Sequence, residues 1–246
     1  MEAQGKIAVI LCAVLEDEFG ALAGECERLG PIVKMEQGLH NEPDRLRREL
    51  QAAIDRIEAE HPDVGAIVLG YGLCSRGTEG VRTSRALLVV PRAHDCITLL
   101  LGDRRRYAEY VARHPGTYWY SPGWNRHHVP PGPERHRLLR EEYVRKYGED
   151  NADYLMEMEQ GWFRTYDRAT YVHQGPGFTE EDVEYTRRCA EWLGWQCDVE
   201  VGDPRLIRML LRGEWTEEEF LVLRPGQALR MTADDRVIEA SGEDRG

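Results

Sequence analysis

The chain has 246 residues, 41% of them hydrophobic and 31% charged, with a formal net charge of −12. That length fills one large α/β domain or two small lobes, and the acidic balance argues against a partner bound through its phosphates, so no nucleic acid is expected. No apolar run approaches the roughly 20 residues of a membrane span, and the opening MEAQGK lacks the pattern of a signal peptide; a cytoplasmic protein with no membrane partner is the expectation.

Taken in chain order, KIAVILCAV is a continuous apolar run of the kind that forms a central parallel strand. A helix is predicted from Glu16 to Leu29, stopped by Gly30-Pro31. A short strand over 32–35 leads to an amphipathic helix, PDRLRRELQAAIDRIEAEH, with Pro43 in its first turn. A second buried strand, VGAIVLGYG, the loop LCSRGTEG and a third strand, ALLVVP, come next. One helix is predicted over 96–113, then a strand in TYWYSP.

The Pro- and Gly-rich stretch 121–134 reads as a loop. Helices over 134–147 and 150–165, a strand ATYVHQ and a helix opening at TEED follow it. The strand CDVEVG, the short helix PRLIRMLLRG and the strand EFLVLRP complete the pattern.

The expected class is therefore α/β, with a mostly parallel sheet or sheets and crossover helices. The expected division is an α/β lobe over 1–122, a crossing segment over 123–134, a second α/β half over 135–232 and a frayed tail over 233–246. One extended sheet and two Rossmann-like lobes around a cleft both satisfy this rhythm.

Six cysteines in such a chain are not expected to form a disulfide framework. Cys26, Cys189 and Cys197 lie in helix and strand patterns and read as small hydrophobes. Cys12, Cys74 and Cys96 each lie at the carboxyl end of a predicted strand, and in parallel sheets those ends share one rim, where sites assemble. Three converging thiols suit a zinc ion with an open fourth position or a [4Fe-4S] cluster with one unique iron. Three ordinary packed thiols, or a reactive thiol without metal, are the competing readings.

His94, two residues before Cys96, is a candidate fourth ligand or proton donor, provided the chain is still extended there. Gly70, Gly72 and Gly77 could let backbone approach a bound group, although their spacing fits neither a dinucleotide fingerprint nor a P-loop. Arg76 and Arg92 are candidates for holding an anionic end of a small-molecule substrate, against an ordinary ion-pairing role. The aromatic run TYWYSPGW fits a core or lobe interface better than a pocket wall.

The blocks ILCAVLEDE, VLGYGLCSRG, LLVVPRAHDCITLLLGDRRRYAEY, HPGTYWYSPGW and EFLVLRPG resemble the uncharacterised proteins grouped as domain of unknown function 1638. The resemblance covers nearly the whole chain. It implies a setting of anaerobes and archaea, beside corrinoid-dependent methyltransferases, and so a role in one-carbon or methyl-group metabolism. His94-Asp95-Cys96 is also similar to the His-x-Cys element of zinc-dependent thiol methyltransferases, which are barrels with their remaining cysteine downstream; here the partner cysteines lie upstream.

The leading expectation is a metal-dependent enzyme acting on a small polar or thiol-bearing substrate. The alternative is a non-enzymatic cofactor-binding or accessory protein that partners corrinoid methyltransferase proteins.

Overall fold

The computed structural model describes residues 4–241. Its strands and α-helices run β1 (Lys6–Cys12), α1 (Glu16–Leu22), β2 (Leu29–Met35), α2 (Pro43–Glu60), β3 (Val64–Gly70), β4 (Leu87–Pro91), α3 (Cys96–Leu101) and α4 (Arg104–Arg113). They continue with β5 (Thr117–Tyr120), α5 (Pro122–His127), α6 (Pro133–Tyr147), α7 (Glu149–Gln160), β6 (Arg168–His173), α8 (Glu180–Leu193) and β7 (Gln196–Val201). The last elements are α9 (Arg205–Arg212), β8 (Phe220–Leu223), β9 (Leu229–Met231) and β10 (Ile238–Ala240). No helix among the described residues is long and apolar enough to cross a membrane.

The chain forms two compact units, one from 1–105 with 202–246, the other from 106–201. The first holds a five-stranded sheet in the order β2-β1-β3-β4-β8. Strands β2, β1, β3 and β4 are parallel and β8 is antiparallel to β4. Its centre is dry, since Ala8 to Ile10 and Ala66 to Leu69 are wholly buried, as expected where helices cover both faces of parallel strands. Helix α2 supplies one of those covers through Leu46, Leu50, Ile54 and Ile57.

The second unit holds the parallel sheet β5-β6-β7. Tyr120, Ala169, Tyr171, Cys189 and Ala190 form its core.

Several expectations are corrected. The division does not fall at 123–134: that segment lies inside the second unit, and its start forms the helix α5, capped by the Ser121 hydroxyl accepting from the Trp124 N–H. The chain then returns, so that β8, from the expected second half, pairs with β4 in the first sheet. Within the expected tail, β10 pairs with β9 and buries Ile238, because Arg92 and the hairpin backbone give it partners; residues 242–246 lie outside the described ones.

The helix from Glu16 ends at Leu22 and passes into a 3-10 turn. Gly30-Pro31 falls within β2, where an edge strand tolerates proline. The single helix over 96–113 is two, broken at Gly102, whose φ of 74° ends α3 in the left-handed region.

Candidate functional site

Four parallel strands of the first sheet end on one rim. The β1–β3 register pairs Leu11 with Gly70, so the next residues, Cys12 and Tyr71, emerge side by side. The β3–β4 pairing is prolonged beyond both strands by the Leu73 N–H donating to the Ala93 carbonyl at 2.8 Å and the Cys74 N–H to the His94 carbonyl at 2.9 Å. The loops after β3 and β4 are thus laced together, and they carry Cys74 and Cys96.

Between them, Cys74, Ser75 and Arg76 take φ values of 46°, 55° and 68°. Three successive non-glycine residues in the left-handed region cost about 1–2 kcal/mol each. Such strain persists where surroundings over-determine it, most often at functional sites. Here the Gly77 N–H donates to the Cys74 carbonyl at 2.9 Å, and the buried Thr78 hydroxyl to the Leu73 carbonyl at 3.3 Å.

The three thiols leave adjacent parallel strands at one rim and act on one another electrostatically. Burial is the largest cause raising the Cys74 thiol, followed by the charges of Asp95 and Cys12. Burial raises Cys96 most, then Asp95, Cys12 and Cys74. Cys12 is raised by burial, with the Val14 N–H and the Tyr71 hydroxyl drawing it partly back. Cys74 and Cys96 are half-buried as residues, yet their thiols are poorly hydrated.

Tyr71 is only 2% exposed. Burial pushes its hydroxyl far up, with the charges of Cys12, Cys74 and Cys96 adding to the shift. Among the described residues that hydroxyl finds no nitrogen or oxygen partner. Its hydrogen-bonding partner there is the Cys12 thiol, so it stands ready to donate to a thiolate or a bound group.

These thiols have a stability consequence. A folded-state thiol pKa above the ordinary 9.0 means that the native state holds protons the unfolded chain releases. The stabilisation is complete below that value and is lost as pH rises through it toward the folded pKa. Metal-free protein is therefore expected to show a falling denaturation midpoint above about pH 9, and Cys→Ser variants at these positions a shallower fall.

Among the described residues, no group of three or more His, Cys, Asp or Glu side chains is gathered closely enough to hold a metal ion. The triad lies within mutual electrostatic reach without forming a ligand shell for a single ion.

His94 lies two residues before Cys96, at the point where the extended chain turns into helix α3. Helix α3 begins at Cys96, with Asp95 as its N-cap, the carboxylate accepting from the Ile97 N–H at 3.0 Å. Asp95 itself is extended, with φ −152° and ψ −180°, and His94 is exposed. Asp95, passed over in the sequence, is the charge acting on both Cys74 and Cys96. His40 was also missed. It lies in the 3-10 turn Leu39–Asn41, half-buried, and it is lowered by burial and raised by the charge of Asp95.

The arginines have other work. Arg76 is exposed and pairs with Glu79 at 2.7 Å. Arg92 is buried and donates to the carbonyls of Glu217 (2.8 Å), Arg236 (3.1 Å) and Ile238, tying the C-terminal hairpin to β4. Its charge serves backbone, so Arg92→Met is expected to cost about 3 kcal/mol in denaturant unfolding.

The three glycines have packing reasons. A Cβ on Gly70 would meet Leu11 and the Phe19 ring, on Gly72 the Asp95 and Ala93 backbone, and on Gly77 the Leu46 side chain. The aromatic run lies in the second unit, where Tyr118 packs among Tyr120, Trp124, Trp162, Tyr166 and Trp195.

Neither a curated protein nor a solved structure matches the chain. A family model described as "Protein of unknown function (DUF1638)" matches residues 34–211. That span contains His40, Tyr71, Cys74, Asp95 and Cys96 and leaves Cys12 outside. The match covers well over half of the sequence, and the chain belongs to that family.

Proposed function

We propose that this chain is a metal-dependent enzyme whose centre is held by the thiolates of Cys12, Cys74 and Cys96. The observation that supports the reading is that three thiols leave three adjacent parallel strands at one rim, each pushed up chiefly by burial and within electrostatic reach of the others. A thiol acting as a nucleophile needs a neighbouring cation or helix N-terminus to lower its pKa. Cys96 opens the short helix α3, yet burial, Asp95 and the other thiols outweigh the backbone hydrogen bonds that would lower Cys74 and Cys96.

A soft cation reverses that balance, because a thiol that coordinates it is deprotonated outright. The negative charge of Asp95, costly beside thiolates alone, then becomes compensation for the cation. Zinc would draw all three sulfurs to about 2.3 Å from one ion. An iron–sulfur cluster asks each thiolate for a different iron and accepts a wider triad.

Three protein ligands leave one position open in either case, and that position would take a small polar or thiol-bearing substrate. The Tyr71 hydroxyl lies where it can donate to a ligand thiolate. The one-carbon setting implied by the family resemblance directs the substrate search to methyl-accepting thiols and to corrinoid proteins as partners.

The test is anaerobic purification followed by measurement of zinc, iron and acid-labile sulfide per chain, with thiol substrates then offered to the loaded protein. About one zinc or about four irons per chain, bound through cysteine, supports the reading. Metal-free protein that takes up neither on reconstitution overturns it.

A further inference from the structure

In the second unit, β5 and β6 are parallel neighbours with Tyr120 opposite Tyr171. The segments that follow them therefore leave on one rim, the side of a parallel sheet where ligand sites assemble. From β5 the chain runs through α5 and the stretch HVPPG to α6. From β6 it runs to Thr179, whose hydroxyl caps α8 by accepting from the Asp182 N–H at 3.1 Å.

These two segments are clamped together at two points. At one, the Asn125 amide nitrogen donates to the Asp182 carboxylate at 3.5 Å. At the other, Gly132 lies so close to α8 that a Cβ on it would stand 2.5 Å from the Cys189 sulfur. The buried Tyr120 hydroxyl fixes that approach by donating to the Pro131 carbonyl at 2.9 Å. Asp182 and Cys189 are separated by about two helical turns, roughly 10 Å. Between the clamps the segments part and leave a cleft of about 630 Å³, the size of a small-molecule site.

Tyr185 and Arg188 line the cleft from α8, and His127 and His128 from the opposite wall, where the His128 ring rests 4.5 Å from that of Trp124. Charges of both signs face it, Arg126 and Arg188 as well as Glu134 and Glu181. An apolar ligand would desolvate these groups without compensation, and a polyanion would meet the carboxylates. The Asn125 carbonyl oxygen is more specific. It is buried and has no hydrogen-bond partner among the described residues. The amide cannot turn over to relieve it, because its oxygen would then face the Asp182 carboxylate. A buried acceptor left in this way costs about 1–3 kcal/mol, which an N–H donor in the cleft would recover.

We infer that this cleft binds a small zwitterion carrying an N–H-bearing ammonium and a carboxylate, an amino acid by chemical class. The ammonium donates to the Asn125 carbonyl beside Asp182. The carboxylate turns toward Arg188, whose long side chain reaches back along α8. The site is built wholly within the second unit and does not depend on the thiolate reading.

The experiment follows thermal stabilisation of the full chain by each proteinogenic amino acid at about 1 mM, with calorimetric titration of any that stabilises. Acetate and methylammonium, which carry one charged end each, are the comparisons. At least one amino acid is expected to bind, and neither half-ligand at the same concentration. Arg188→Gln, at an exposed position, and Asn125→Ala should each weaken that amino acid roughly 10-fold. Arg187→Gln, on the neighbouring arginine that pairs with Glu184, should bind as wild type does.

No binding by any amino acid overturns the proposal. So does acetate held as tightly as the amino acid, which would make the cleft a plain anion site. An affinity left unchanged by both Arg188→Gln and Asn125→Ala overturns it too, since binding would then lie elsewhere.

Discussion

Serine at position 12, 74 or 96 is expected to strip the metal from the folded chain, with each single change sufficient. Losing an outer hydrogen-bond partner of a metal site costs about 10–100-fold in affinity, and losing one of three thiolates should cost more. The folds of the variants are expected to survive. Serine is close to cysteine in size, and two of the three positions are half-buried. Cys12, 7% exposed, is the position most sensitive to a new hydroxyl, although the Val14 N–H and Tyr71 hydroxyl beside it can bond to one.

Metal content should fall together at all three positions and remain at the wild-type level in Cys26→Ser, whose thiol donates to the Leu211 carbonyl at 2.9 Å away from the rim. Full metal content in all three site variants would show that the thiols are packing residues. The fact that Cys12 lies outside the matched family span while Cys74 and Cys96 lie inside it gives the Cys12→Ser result particular weight.

The second large effect is expected from a residue that bears no chemistry. Gly72 has a negative φ, so alanine there meets no backbone penalty. Its Cβ, however, would stand 2.7 Å from the Asp95 nitrogen and 2.8 Å from the Ala93 carbonyl oxygen. Both neighbours are backbone and cannot swing aside, so the loops after β3 and β4 must separate.

Gly72→Ala is expected to lower unfolding stability by about 3 kcal/mol. It should also lower metal content in the protein that remains folded, because it pushes Cys74 and Cys96 apart. Arg92→Met, of similar cost, should leave metal content alone. A Gly72→Ala protein with wild-type stability and metal would mean that the two loops do not meet as described.

The first sheet was legible because its strands are buried on both faces and so appear as unbroken apolar runs: KIAVILC, VGAIVLG and LLVVP all became parallel neighbours. Cysteines placed at three such ends share the carboxyl rim of the sheet for that reason alone. Residues that reach the site by other routes were not legible. Asp95 caps α3 at the point where the chain stops being extended, so the His-Asp-Cys stretch does cap a turn.

The return of β8 to the first sheet was equally hidden, since FLVL carries no mark of which strand it will join. Gly30-Pro31 misled for a physical reason: the pair that ends a helix is also permitted on an edge strand, where the missing N–H breaks no ladder.

The central claim is that three cysteine sulfurs bind one metal centre, and X-ray absorption at the metal edge of anaerobically prepared protein tests it most directly. The predicted spectrum shows sulfur scatterers at about 2.3 Å, with cysteine accounting for three ligands and one position left to a lighter atom or an added thiol. A bound metal surrounded only by oxygen and nitrogen would contradict the account.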